Sequence, residues 1–353
     1  MKTAVIALTK QGTKLAEKIG GPLKADVFIK EDFVDQMGEP LLESRVFFFD
    51  TTFHLVMEKV FRAYDALICV MACGIVVRSL APHLMDKQSD PAVVVVDEKG
   101  QFAISLLSGH IGGANSLAAQ VAALTGGTPV ITTATDVQGL AAFDELAAKN
   151  KCAIENIHMV KWVSGALVNG KSVGLYADVS LQGTLPDQVM LWQEGQLHAA
   201  AVALTNSLKI PDLGEKTLIL RPRNLVLGIG CKKGKEGAEI AGAVKEFLAR
   251  NRKSPLSLRC LASIDLKAEE PGIVDFSNKK GIPFRTFPAE KIKEIEDQLT
   301  TSDFVRRTTG VGSVAEACAM LAGRPGTLIA GKTVYPGITL ALWEEKAAFH
   351  FQP

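Results

Sequence analysis

The sequence predicts an α/β protein: two α/β domains with mainly parallel sheets, joined by a small middle region. Three observations predict it. Short β-branched runs alternate with stretches of helical periodicity from the first residues onward. Gly-bearing loops stand where strands pass into helices. Apolar residues make up 47% of a 353-residue chain, enough for more than one buried core. The domains are expected at residues 1–145, 146–222 and 223–353.

The first strand is TAVIAL (3–8), followed by a Gly-containing turn and a helix from about Lys14, and ADVFI from Ala25 is the second strand. A helix around Phe53 to Tyr64 leads to the strand ALICV, the loop MACG and a helix from Ile75. PAVVVV and QFAISLL read as paired strands around a turn at Glu98 to Gly100. After the loop SGHIGG come the helical ANSLAAQVAAL, a stop at Gly126 and Gly127, the strand PVITT and a helix through Leu146. From about Cys152 to Pro222 the periodicity weakens. A helix at Ile157 to Val168, short strands, and turns at Gly170, Gly183 and Pro186 describe either a small middle domain or an elaborated linker. At Asn224 a new unit opens with the apolar strand LVLGIG, the loop CKKGKEG and the amphipathic AEIAGAVKEFLARN. It runs on to TTGVGSVAEACAMLAG and GTLIAGKTVYPGITLALWEE.

Charge narrows the partners. Lys and Arg number 39 against 38 Asp and Glu, so no global field attracts nucleic acid or an anionic membrane, and an anionic ligand must be met by local clusters. The six cysteines form no CxxC pair, which fits a reducing cytoplasm better than a zinc ribbon or a redox dithiol. No apolar run reaches the roughly 18 to 20 residues of a membrane span, and the N-terminal segment lacks a signal-peptide cleavage site.

Four strand-end loops carry the candidate chemistry. In Ser108-Gly109-His110-Ile111-Gly112-Gly113-Ala114-Asn115, between a strand and a helix, glycines can turn backbone N–H groups toward an anionic or carbonyl oxygen. His110 there suits a base or a hydrogen-bond donor. Equally, the glycines close a tight turn and His110 satisfies a nearby carbonyl. Met71 to Arg78 also follows a strand, at the edge where α/β proteins place ligands; Arg78 is either a bidentate carboxylate partner or a solvated helix residue. Thr132-Thr133-Ala134-Thr135-Asp136 offers hydroxyls and a carboxylate, with Asp136 as a substrate contact or a helix cap. Gly228-Ile229-Gly230-Cys231-Lys232-Lys233-Gly234 fails as a dinucleotide fingerprint, because Lys233 stands where the third glycine belongs. It also fails as a P-loop, because Glu236 follows Lys235. An anion site with Lys232 and Lys233, or a solvated turn, remains. Near the C-terminus, Ser313 and Glu316 have capping-box spacing and so a sufficient structural role at the start of VAEACAML. HExxH and closely spaced His/Cys ligands are absent, so no protein-bound metal is expected.

Taken in order, MACGIVVRSLAPHL, SGHIGGAN, TTATD, GIGCKKG, ASIDLKAEEPGI and TTGVGSVAEACA resemble the cobalamin-biosynthesis hydrolase family, over almost the whole chain. The C-terminal part is similar to a small stand-alone protein of the aerobic pathway. The resemblance implies opening of the ring-A acetate lactone of cobalt-precorrin 5A with release of acetaldehyde, in anaerobic cobalamin biosynthesis. It implies no cofactor, since cobalt arrives within the substrate. The partners implied are that cobalt-corrinoid substrate and other enzymes of the pathway. A non-catalytic corrinoid carrier is the alternative. On this reading His110, Asp136 and Ser108 are the catalytic candidates, with His110 as base or relay and Asp136 as orienting group. Substrate contacts are assigned to Gly74, Arg78, Gly109, Gly112, Gly113, Asn115, Thr133, Gly230, Lys232, Lys233, Arg307, Gly310, Gly312 and Ser313, with Arg306 a further cation. A cleft between the two α/β domains would suit a large flat ligand.

Overall fold

The computed structural model describes residues 1–36, 45–86, 89–110, 112–295 and 312–351, in two compact units, Met1–Glu145 and Leu146–Pro353. Among the described residues, no helix is long and apolar enough to cross a membrane.

The first unit holds one seven-stranded sheet made of β1 (Thr3–Ala7), β2 (Asp26–Lys30), β3 (Val46–Phe49), β4 (Ala66–Val70), β5 (Ala92–Val96), β6 (Phe102–Leu107) and β7 (Thr128–Val130). Their spatial order is β3-β2-β1-β4-β5-β6-β7. The first five strands are mutually parallel, and β1, β4 and β5 are buried along their whole length, as strands covered on both faces must be. Leu15, Ile19, Leu117 and Val121 from the helices Lys10–Leu23 and Ala114–Thr125 cover one face. Met57, Val60, Val76 and Leu80 from Phe53–Phe61 and Cys73–Leu80 cover the other.

One boundary differs from the sequence reading, and one pairing that it gave has a consequence for direction. The first helix starts at Lys10, not near Lys14, because Thr9 caps it by accepting the Gly12 N–H at 3.1 Å. Gly12 therefore lies inside the helix, where a Cβ would stand 3.4 Å from Val70 and 3.0 Å from the Thr9 hydroxyl. The pairing of PAVVVV with QFAISLL around a turn is as read, and it reverses the chain. β6 pairs antiparallel with β5, Leu107 opposite Val93, after a tight turn at Asp97–Gly100, and β7 then runs parallel to β6. The carboxyl ends of β6 and β7 thus sit at the sheet edge where β1, β4 and β5 begin.

The second unit contains a middle sheet and a C-terminal sheet. β8 (Cys152–Ile154), β9 (Val173–Ala177), β10 (Ser180–Gln182), β11 (Val189–Leu191), β12 (Ala200–Leu204) and β13 (Thr217–Pro222) follow in sequence. Five of them form a sheet in the order β11-β9-β12-β13-β8, so this region is a layered structure rather than a linker. Three of these five strands have three to five residues with little alternation, which is why periodicity faded there. The helix Val160–Val168 packs on the sheet through Val163 and Leu167.

The C-terminal sheet runs β16-β15-β14-β18-β17, from β14 (Leu225–Cys231), β15 (Leu258–Ile264), β16 (Phe284–Phe287), β17 (Gly326–Tyr335) and β18 (Ile338–Glu345). β14 to β16 are parallel, and β18 returns antiparallel beside β14. The helices Gly237–Arg250 and Pro271–Lys280 cover one face, and Ala315–Ala322 covers the other. That last helix lies so close to the sheet that a Cβ on Gly228 would overlap the Ala315 carbonyl, which gives this glycine of GIGCKKG a packing role. β19 (Ala348–His350) pairs with β10, and Asn150 exchanges two side-chain hydrogen bonds with the His350 backbone, at 2.9 and 2.7 Å.

Arg221, 1% exposed, holds the end of the middle sheet: it donates to Glu155 at 2.6 Å and to the Thr205 and Ser207 carbonyls at 3.0 and 2.6 Å. Lys253 bridges Asn206 and Glu344 nearby, tying the middle strands to β18. Arg221→Ala leaves these acceptors unpaired and is expected to cost about 3 kcal/mol. A urea-denaturation midpoint equal to that of the parent protein would contradict it.

Candidate active site

The reversal of β6 brings SGHIGGAN and TTATD to the same edge, and His110 is where they meet. Its Nε2 lies 2.7 Å from Asp136 Oδ2 and 3.3 Å from the Thr135 hydroxyl, and its Nδ1 lies 3.4 Å from Asp144 Oδ2. Asp144 opens the helix Phe143–Lys149. The imidazole is 13% exposed, Asp136 29% and Asp144 6%. Asn115, buried at the start of the helix Ala114–Thr125, donates to the same Asp136 oxygen at 3.0 Å and to Thr133 at 3.3 Å. Its own carbonyl accepts the Ser105 hydroxyl at 2.6 Å.

The loop is shaped to permit this. Ser108 takes a left-handed φ of 56° and Gly113 one of 85°. A Cβ on Gly109 would stand 2.7 Å from the Asn115 carbonyl oxygen, and one on Gly112 would stand 2.5 Å from Ser108 Cβ, so both must be glycine. The Ser108 hydroxyl donates to the Asp90 carbonyl at 3.0 Å and so braces the loop. The Gly113 N–H donates to the His110 carbonyl, and those of Ala114 and Asn115 donate to Ser108 and Gly109. The expectation that the Gly113 N–H faces an oxyanion is thereby corrected: the left-handed turn folds this donor back into the loop.

Two carboxylates around one imidazole fix its charge. The Asp144 contact, ahead of the Asp136 contact, outweighs the cost of burial and raises the His110 pKa to about 9. The Asp144 contact is the longer, but that carboxylate is the more buried and is less screened by water. Burial pushes the Asp144 carboxyl upward, yet the bond to His110 and its charge outweigh this and hold it below its usual value. At neutral pH His110 is therefore an imidazolium, a donor at both nitrogens. His110, Asp136 and Glu145 bring ligand atoms within 4.8 Å of one another, close enough for a cation. In the protonated state, the imidazolium proton already supplies the positive charge there.

Comparison with known proteins bears on what the site serves. Family models match along the chain: Cobalamin synthesis G N-terminal at residues 55–136, Cobalamin biosynthesis central region at 141–222, and Cobalamin synthesis G C-terminus at 225–343. A Cobalt-precorrin-5A hydrolase of Salmonella typhimurium is 38% identical over 351 residues, covering 96% of this chain and 96% of that protein. The chain belongs to the cobalamin synthesis G family. A second relative of the same name, from Priestia megaterium, is 32% identical over 354 residues, covering 96% of this chain and 94% of its own length. Protein CobE of Sinorhizobium sp is 34% identical over 120 residues, which is 33% of this chain and 78% of that protein.

Not every expected residue of this cobalamin synthesis G chain joins His110. Gly74 and Arg78 lie in the helix Cys73–Leu80, which follows the carboxyl end of β4. They stand at the opposite edge of the sheet, across the height of a five-residue strand, about 16 Å. Arg78 is exposed and donates to the Gly74 carbonyl at 3.1 Å, the solvated helix role. Gly230, Lys232, Lys233 and Ser313 line a cavity in the second unit, and Gly312 is buried beside Ser313. Arg306, Arg307 and Gly310 lie outside the described residues, as does Ile111.

The capping box at Ser313 and Glu316 does not form. Val314 is the N-cap, and the Ser313 hydroxyl donates instead to the Glu316 carboxylate at 3.3 Å. The other Glu316 oxygen accepts the Lys332 N–H at 2.7 Å. A register shift between Ala330 and Thr333 in β17 takes Lys332 out of the ladder with β18, and the buried carboxylate supplies the missing acceptor. The sequence reading also missed Asp144; its only local signal was an acid in the first turn of a helix, which capping explains equally well.

The His110 ion pairs make stability depend on pH. A pKa raised from 6.5 to about 9 gives a contribution fully present below pH 6.5 and lost as pH rises through about 9. The stability difference between the parent protein and His110→Gln is expected to shrink over that window, measured by urea unfolding at each pH. A difference that is flat or grows would contradict it.

Proposed function

We propose that the chain is a cobalt-precorrin 5A hydrolase, opening the ring-A acetate lactone and releasing acetaldehyde, with His110 and Asp136 handling the protons. The relatives that align with nearly the whole chain are named as hydrolases of cobalt-precorrin-5A, and the lactone and the acetaldehyde are what the sequence resemblance implies. The contact that carries the chemistry is His110 to Asp136, an imidazolium on a partly exposed carboxylate at a sheet edge.

The reaction asks for three things: a base for water, a donor for the tetrahedral oxyanion, and removal of a proton from the freed hydroxyl. Asp136 is the base. Both its hydrogen bonds end on Oδ2, and among the described residues Oδ1 makes none, which leaves that oxygen to water. His110 is the donor, protonated at neutral pH and braced from behind by Asp144. Water adds to the lactone carbonyl as Asp136 takes its proton. The acyl C–O bond then breaks, and His110 protonates the departing alkoxide. Neutral His110 takes that hydroxyl proton back and the C–C bond breaks: acetaldehyde leaves, and the conjugated macrocycle accepts the electron pair and the proton that Asp136 took from water. Cobalt enters with the substrate, so this scheme needs no resident cofactor, and the enzyme works among the other cobalamin-forming enzymes of a reducing cytoplasm.

His110→Ala is expected to lower acetaldehyde release by about 100-fold or more, and Asp136→Asn by a similar factor, with the fold intact. The parent rate should fall as pH rises through about 9, where His110 loses its proton. Acetaldehyde can be followed anaerobically by its reduction with NADH and alcohol dehydrogenase. Corrinoid binding with no acetaldehyde from the parent protein would overturn the reaction and leave a carrier.

A further inference from the structure

A cavity of about 740 Å³ lies at the carboxyl ends of β14 and β15, the end of a parallel sheet where ligands are usually held. Ile264, Val314 and Ile338 are among its apolar lining residues, and Lys232, Lys233, Lys267 and Lys332 are its cations. Only two of the four, Lys232 and Lys233, sit in a loop recognisable from sequence. Lys267 follows β15, and Lys332 stands within the irregular stretch of β17.

Two buried carboxylates hold this wall in shape. Glu270, 7% exposed, accepts the Gly234 N–H with one oxygen and the Lys267 ammonium with the other, both at 2.7 Å. It thus ties the lysine loop to the segment after β15. Glu316, 3% exposed, holds the Lys332 backbone. Lys232, Lys233 and Lys332 make no ion pair among the described residues, and the cations outnumber the two carboxylates. Gathering like charges around an apolar hollow costs free energy that an anionic ligand would recover.

We infer that this cavity seats the carboxylate arms of a flat polyacid with an apolar body, with Lys267 and Lys332 as ligand contacts and Glu270 as a positioning residue. The identity of that polyacid, a cobalt corrinoid fringed with acetate and propionate, rests on the proposed function. The lysines meet the arms, and the apolar wall meets the edge of the ring.

The test uses the full chain and cobyrinic acid, a stable cobalt corrinoid with free carboxylates, against its heptamethyl ester, titrated calorimetrically at several ionic strengths. The acid should bind at least about tenfold more tightly than the ester, with an affinity that falls as salt rises. Changing Lys267 and Lys332 together to Gln should weaken acid binding by about tenfold or more and flatten the salt dependence. The corresponding double change to Arg should retain most of the binding, and Lys245→Ala, on the outer helix face, should alter nothing. Glu270→Ala should weaken binding of the acid but not of the ester, and Glu270→Gln, which keeps an acceptor for the Gly234 N–H, should restore part of it. Equal affinity for acid and ester, or an unchanged Kd in the Gln pair, overturns the inference. Intact acetaldehyde release alongside that unchanged Kd counts against the cavity alone. Acid binding that responds to the lysines, with no acetaldehyde from the parent protein, counts against the reaction alone.

Discussion

The turn-back of β6 is the constraint on which the site depends. Five parallel strands deliver their carboxyl ends to one edge of the first sheet, and a protein that continued this pattern would carry SGHIGGAN and TTATD beside MACG. The tight turn at Asp97–Gly100 sends β6 the other way, and β7 follows it. Two loops 26 residues apart then share an edge, and His110 reaches Asp136. The same reversal puts His110 at the edge of the sheet opposite Arg78.

At that edge, charge sets the role of each group. A histidine in water would be mostly neutral at pH 7 and serve as a base. Between Asp136 and Asp144 it keeps its proton, so in the proposed reaction the base is a carboxylate and the imidazole is the acid. The second unit follows a related logic with the signs exchanged: Glu270 and Glu316 are buried, each satisfied by backbone N–H groups, and the cations they position face the cavity.

Much of this was legible in the sequence because it rests on local pattern. Alternating β-branched and helical runs reveal the βα units, and glycines flanked by a strand and a helix reveal the loops that hold His110 and Lys232. What stayed hidden depends on pairing between distant segments. PAVVVV and QFAISLL read as strands paired around a turn, but the sequence reading missed the consequence, that this pairing carries the loop after QFAISLL to the edge away from Arg78. Asp144 looks like any acid in a first helical turn until His110 arrives beside it. Ser313 and Glu316 match a capping box by spacing, but the unpaired N–H of Lys332, 16 residues on, claims the carboxylate first. Lys332 itself is one lysine in a strand, and only the bulge turns it toward the cavity. The middle region stayed open between a small domain and a linker because three of its sheet's strands are short and show little alternation.

The pairing of β10 with β19 joins residues 180–182 to residues 348–350. A ribosome that has just finished the middle sheet still has well over a hundred residues to make before this latch can close. Until then the edge of β10 and the side chain of Asn150 wait in solvent, an exposed template for stray strands in a crowded cell. Maturation of the second unit thus waits on residues 348–350: translation products that stop short of them would carry a complete first sheet and an open seam in the second.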